Sequence, residues 1–177
     1  INQENLVIPE VIAYKNIKNI EILLIEWIDM HNFDQKKLGK GLGEMHLKSA
    51  ESNPKMFGSP VEGFIGTTDQ KKGWKDNWID CFLNLRIIPQ LLLLESTILD
   101  KEIINKVQDK IKSELLNHKP INSLVHGDLW SGNVGTEKNG KGVIFDPASW
   151  WADNEVDIAM TKLFGGFRKE FYEEYHR

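Results

Sequence analysis

Leu124-Val125-His126-Gly127-Asp128-Leu129-Trp130-Ser131-Gly132-Asn133, followed by Val143-Ile144-Phe145-Asp146, is the stretch whose reading decides the fold. His126, Asp128 and Asn133 fit the spacing H-x-D-x-x-x-x-N, and a short apolar run closed by an acid comes after them. That is the layout of a phosphoryl-transfer loop and its metal-binding follow-on. The chemistry explains the spacing. Asp128 has to reach the hydroxyl that attacks the phosphoryl group. Asn133 has to turn back toward a magnesium ion, and Asp146 has to meet that metal region from a neighbouring strand. Taken singly, an Asp on a loop is an ordinary turn or cap residue. Gly-Asp followed by Gly-Asn also makes a plain turn. Three polar residues at fixed offsets, framed by two β-branched runs, seldom arise together by accident.

Size and composition bound the rest. A chain of 177 residues can bury one ordinary core, and 41% apolar with 27% charged residues is the balance of a soluble globular protein. The net charge of −4 makes no case for nucleic acid or an anionic membrane as partner. Cys81 is the single cysteine, so no internal disulfide is possible, which suits a reducing, cytoplasmic compartment. Lying among Trp78, Phe82 and Leu85, it is expected to be a small buried hydrophobe. Ile22–Ile25 and Leu91–Leu94 are far too short to span a bilayer. The start at Ile1 is neither a signal peptide nor an initiator methionine, and is expected to mark a fragment or a processed piece.

In chain order, Leu6–Tyr14, punctuated by Pro9, reads as an edge strand, and Ile20–Ile28 as a second strand forming a hairpin with it. Asp34 caps a helix over Gln35–Ala50, with Leu38, Leu42, Met45 and Ser49 on one face. Gly39, Gly41 and Gly43 weaken that helix by up to about 1 kcal/mol each relative to Ala, and are expected to admit a closely packed element. His46 reads as a packed histidine. Glu51–Gly73 reads as a long polar loop anchored by Phe57, Phe64 and Ile65. Trp74, Trp78, Phe82 and Leu85 start a helical stretch to about Leu99 that Pro89 should kink or divide. Asp100 caps another helix, with Ile104, Val107, Ile111 and Leu115 buried and Pro120 as its end. Gly135–Gly142 reads as a hairpin turn, and Asn154–Gly165 as a helix holding Val156, Ile158, Ala159 and Leu163. Aromatics at helical spacing from Phe164 to Tyr175 read as core. This order predicts an α+β, protein-kinase-like fold, mostly the helical C-lobe plus the last N-lobe strands and hinge. Residues 1–30 would close the N-lobe and residues 31–177 would form a C-lobe truncated at its end.

The sequence is similar to the fructosamine kinase (ketosamine 3-kinase) family, within the aminoglycoside phosphotransferase-like kinases. The resemblance covers nearly the whole chain. It rests first on His126-Gly127-Asp128-Leu129-Trp130-Ser131-Gly132-Asn133, a form much narrower than the general kinase pattern. Asp146-Pro147-Ala148, Glu155-x-Asp157-Ile158-Ala159-Met160 and Leu163-Phe164-Gly165-Gly166-Phe167 add to it, as do Phe64-Ile65-Gly66-Thr67-Thr68-x-Gln70 with Trp74 and Trp78, and Leu38-Gly39 through His46. The resemblance implies ATP- and Mg2+-dependent phosphorylation of the sugar 3-hydroxyl of ketosamines, the adducts that sugars leave on lysine. The 3-phosphate destabilises the adduct and regenerates the amine. The substrate would be a small-molecule or protein-bound ketosamine.

It also implies roles, residue by residue. Asp128 resembles the catalytic base, and Asn133 and Asp146 resemble the magnesium ligands. Glu26-Trp27-Ile28 looks like the hinge whose backbone meets adenine. His126 and Asp157 resemble residues that brace the catalytic loop. Trp130 is read either as a flat wall for a sugar or as a loop-covering core residue. The family's Gly-rich phosphate loop, its phosphate-pairing Lys and that lysine's Glu partner are not identifiable and would lie before Ile1. Trp150-Trp151-Ala152-Asp153-Asn154-Glu155 departs from the family's approximate Y-Y-G-D-R-E. Two other readings stay open: a relative that phosphorylates an aminoglycoside, choline or another hydroxylated amine, and a non-catalytic kinase remnant that binds a sugar-amine or a protein.

Overall fold

The computed structural model describes residues 4–31, 34–52, 55–94 and 100–177. Within them the chain is α+β and divides into two compact units. One unit comprises Ile1–Lys48, Asp128–Pro147 and Ile158–Arg177; the other comprises Ser49–Gly127 and Ala148–Asp157.

In the first unit, the single edge strand expected over Leu6–Tyr14 is two strands in two sheets. Pro9 has no N–H to give a ladder and ends the first of them. Strand β1 (Leu6–Val7) lies parallel to β10 (Gly142–Ile144), which pairs antiparallel with β9 (Val134–Thr136). Strands β2 (Val11–Ile17) and β3 (Ile20–Ile25) form the expected hairpin, and every residue of both is exposed. Its turn is tighter than the sequence suggests. Lys18 and Asn19 both take positive φ, 52° and 66°, as a two-residue turn matched to strand twist requires.

Helix α1 (Gln35–Glu51) begins where expected, with the Lys36 amide donating to Asp34 Oδ1 at 3.0 Å. Leu38, Leu42 and Met45 carry the core of this unit with Leu6, Leu129, Val134, Ile144, Ile158 and Phe171. Phe171 belongs to α6 (Lys169–Tyr175), and Phe167, Tyr172 and Tyr175 pack on the same cluster, so the aromatic stripe is core. Phe164 is the exception and is exposed. His46 is buried, its Nδ1 at 2.9 Å from the Tyr175 hydroxyl.

The α1 glycines are there for close approach. A Cβ on Gly39 would sit 2.1 Å from the Phe171 carbonyl oxygen, one on Gly41 2.8 Å from the Leu6 Cβ, and one on Gly43 2.9 Å from the Tyr175 carbonyl oxygen. Helix propensity alone would make Gly39→Ala stabilising by up to about 1 kcal/mol. Overpacking reverses the sign: Gly39→Ala should destabilise by roughly 1–3 kcal/mol in urea unfolding. Gly63→Ala, where no atom lies within 4 Å, should be close to neutral.

The second unit corrects the reading of Glu51–Gly73 as a loop. It holds β4 (Phe57–Ser59), β5 (Gly63–Ile65) and β6 (Thr68–Gln70), followed by β7 (Gly73–Lys75). Strands of three residues leave too little alternation to read from sequence. Phe64 is exposed rather than an anchor. Gly58 lies so near β7 that a Cβ would be 1.9 Å from the Gly73 carbonyl oxygen. Trp74 is in β7, and the helical stretch starts at α2 (Trp78–Phe82), capped by Asn77 Oδ1 accepting from the Asp80 amide at 2.9 Å. Pro89 does not divide the stretch. A wider π-type turn over Leu83–Ile87 precedes α3 (Ile88–Leu94), taking up the clash a proline imposes on the preceding turn. The end of that stretch near Leu99 lies outside the described residues.

Asp100 caps α4 (Lys101–Leu115) through the Ile103 amide at 2.8 Å. Ile104 is buried; Val107, Ile111 and Leu115 are half-buried, and the helix ends well before Pro120. Strands β8 (Asn122–Val125) and β11 (Trp150–Asp153) complete a sheet in the order β7-β4-β11-β8. Trp150–Asp153 is therefore a central strand. Phe57, Trp78, Cys81, Leu85, Val125, Trp150 and Ala152 form the core beside this sheet. Burial pushes the Cys81 thiol up to about 11, which suits a small hydrophobe rather than a nucleophile. In α5 (Glu155–Phe164) the buried positions are Asp157, Ile158 and Thr161; Ala159 and Leu163 are exposed. Among the described residues no helix is long and apolar enough to cross a membrane.

Candidate active site

Two local devices set the stretch from His126 to Asn133. In the second unit, Gly127 has φ +83°, and a Cβ there would fall 2.2 Å from the Ala148 carbonyl oxygen, so only glycine fits. The fully buried Asp157 carboxylate accepts the amides of His126 and Gly127, each at 2.8 Å. Asp157 stands in the first turn of α5, where the helix dipole favours an anion. These are the two residues immediately before Asp128. The bracing position read for Asp157 is thus occupied by a carboxylate aimed at the backbone, and the His126 side chain is buried.

In the first unit, Asp128, Asn133 and Asp146 come together. The Trp130 amide donates to Asp128 O at 3.1 Å and the Asn133 amide to Trp130 O at 3.0 Å, winding Ser131–Asn133 into a 3-10 turn. That turn brings the buried Asn133 side chain back over the loop. Its Nδ2 donates to Asp128 O at 2.9 Å, to Asp128 Oδ2 at 3.2 Å and to Asp146 O at 3.4 Å. The Phe145 amide donates to Asn133 O at 3.1 Å and locks the following strand to the turn. Asp146 then takes φ +56°, a left-handed conformation that Asp tolerates better than most residues. Its side chain is exposed and that of Asp128 is half-buried.

Asn133 Nδ2 is taken up by the backbone oxygens of Asp128 and Asp146 and by Asp128 Oδ2, which leaves Oδ1 as a hard oxygen donor. Among the described residues no three His, Cys, Asp or Glu side chains converge as a metal cage. Two oxygen side chains suit an ion that keeps several waters and takes the rest of its ligands from phosphate.

Trp130 is 40% exposed. Its indole lies against the backbone of Gly132, where a Cβ would be 2.3 Å from the ring, and beside Phe164 at 6.1 Å between ring centroids. Phe164 read as part of a core stripe. Its position just before Gly165-Gly166, with φ +70° and +88°, was the available sign that the chain turns away there. Gln35, read only as a helix start, clamps that turn. Its Nε2 donates to Gly166 O at 3.0 Å and its Oε1 accepts from the Arg168 amide at 2.6 Å.

Glu26, Trp27 and Ile28 follow β3. The Glu26 amide donates to Glu10 O at 2.8 Å, and the segment is tied at its far end by His31 to Thr136 of β9, N–H to O at 2.8 Å. With Asp29, His31 and the β9–β10 turn residues Glu137, Lys138 and Asn139 they line a recess of about 500 Å³. Among the described residues they make no hydrogen bond to the Asp128–Asn133–Asp146 cluster.

Comparison with known proteins shows the family. The family model described as fructosamine kinase matches residues 1–177. A probable ketoamine kinase of Vibrio parahaemolyticus is 37% identical over 172 residues, covering 95% of this chain and 58% of that protein. The ketosamine-3-kinase of Mus musculus is 30% identical over 181 residues, covering 88% of this chain and 58% of its own length. The crystal structure of a candidate fructosamine-3-kinase from Haemophilus somnus superposes with a TM-score of 0.85 at 25% identity, over 97% of this chain and 58% of that one. The chain thus spans less than two thirds of the length of these relatives.

Proposed function

The chain belongs to the fructosamine kinase family, and from that premise we propose that it carries the catalytic centre of an ATP-dependent ketosamine 3-kinase. The observation that carries the proposal is the Asn133 side chain, whose one amide nitrogen gathers Asp128 and Asp146 into a single cluster. In this reading residues 1–30 end an N-lobe and residues 31–177 belong to a kinase C-lobe. The backbone of Glu26-Trp27-Ile28 meets adenine. Asn133 and Asp146 hold Mg2+, which when bound neutralises charge on the phosphates. Trp130 forms one wall for the sugar.

Asp128 positions the sugar 3-hydroxyl and takes its proton. The hydroxyl oxygen bonds to the γ-phosphorus as the bond from that phosphorus to the β,γ-bridging oxygen breaks. ADP leaves, and the product is the ketosamine 3-phosphate. His126 and Asp157 do no chemistry; they keep the backbone before Asp128 in place. The proton acceptor contributes on the order of 10²–10⁴ in rate, and the alignment of hydroxyl and phosphate supplies much of the rest.

The choice of acceptor is tested by competition. With ATP and magnesium, kcat/KM should be higher for a ribulosamine or fructosamine than for an aminoglycoside or choline. The reverse order would move the chain to the wider aminoglycoside phosphotransferase-like group.

A further inference from the structure

Trp130 and Phe164 are two large aromatic side chains in contact, yet 40% and 62% exposed. Apolar surface left in water forgoes the stabilisation that burial brings, and a contiguous exposed patch marks a binding surface more often than a single exposed residue does. The patch is also rigidly held. The indole rests on Gly132, and the backbone of Gly166 abuts Ser131, where a Cβ on the glycine would be 2.6 Å from the serine Cβ. Gln35, itself almost fully buried, fixes the turn after Phe164 from both sides.

Two features of this corner favour a cation. Ring faces attract cations. Phe164 is the last residue of α5, and the Gly165 amide donates to Thr161 O at 3.1 Å. The final carbonyls of the helix therefore add the negative end of its dipole. The nearest lysine of α5, Lys162, lies over the ring of Tyr172 at 5.7 Å rather than over Trp130 or Phe164.

We infer that the Trp130–Phe164 corner at the end of α5 binds the ammonium group of the acceptor, with Phe164 as a specificity-determining residue. This rests on the ketosamine-kinase reading and deepens it. In a ketosamine the amine is on C1 and the reacting hydroxyl on C3 of the same small molecule. A cation site two residues after Asp128 in sequence thus selects acceptors by charge as well as by shape.

The test uses the full-length protein and two acceptors, 1-deoxy-1-(propylamino)fructose and its uncharged ether, 1-O-propylfructose. Phe164→Ala should raise KM for the amine roughly 3- to 30-fold, change KM for the ether by no more than about twofold, and leave KM for ATP unaltered. Leu163→Ala should leave both acceptor KM values unaltered. Unchanged melting temperatures would show that each variant folds. Equal losses on the two acceptors, or none on either, would overturn the inference, because an apolar wall alone would not tell them apart. If neither acceptor is phosphorylated, the ketosamine reading itself fails. The corner is then tested by NMR titration with propylammonium, where binding weakened by Phe164→Ala supports it and no binding overturns it.

Discussion

Asp128→Asn should lower kcat for phosphoryl transfer by about 10²- to 10⁴-fold, the usual contribution of a positioned base, with the folded state intact. The side chain is half-buried and takes the Asn133 Nδ2 hydrogen bond at 3.2 Å, which an asparagine oxygen can still accept. The loop geometry is therefore expected to survive, and KM for ATP and for the acceptor should move far less than kcat. A loss confined to kcat is the mark of an interaction made in the transition state. Stopped-flow or coupled ADP release at saturating substrates reads it directly. A variant that kept more than about a tenth of wild-type kcat would exclude Asp128 as base.

Asp157→Ala carries the largest expected effect on stability. The buried carboxylate is the partner of two buried amides, those of His126 and Gly127. Each orphaned amide costs about 1–3 kcal/mol. A combined loss of about 3 kcal/mol would lower the melting temperature by roughly 6–12 °C for a chain of this size. Asp157→Asn should fall between, since its amide oxygen can serve one of the two N–H groups while its NH2 faces the other. The residue also reaches the chemistry through the backbone. His126 and Gly127 directly precede Asp128, and a misplacement of about 1 Å can cost about 10²-fold in rate. Differential scanning calorimetry with kcat measured below the melting transition separates the two effects. A normal melting temperature in Asp157→Ala would remove the bracing role.

The cluster of Asp128, Asn133 and Asp146 was more legible in this sequence than the strands were. Fixed spacing picks out Asp128, Asn133 and Asp146, which the Asn133 side chain joins, because a loop that must return to its own start admits few lengths. The α1 glycines were readable for the same reason: their cost to a helix demands a compensating contact, and Phe171 and Tyr175 provide it. The short strands β4 to β7 were not readable, because three residues carry no period. Trp150–Asp153 was not readable as a strand either, because four residues ending in Asp153 carry little alternation. Phe164 was misplaced because an apolar residue at helical spacing is core by default. What moves it out is the turn at Gly165-Gly166, fixed by a glutamine more than a hundred residues away in sequence.

The most direct measurement is a single-turnover reaction of the full-length protein in excess over Mg-ATP, with fructosamine as acceptor, followed by 31P NMR. The expected result is one equivalent of ADP and a new phosphomonoester resonance coupled to C3 of the sugar, absent in Asp128→Asn. Consumption of ATP to inorganic phosphate with no phosphomonoester, or an unchanged spectrum while both substrates are bound, would contradict a phosphoryl-transfer centre built from Asp128, Asn133 and Asp146.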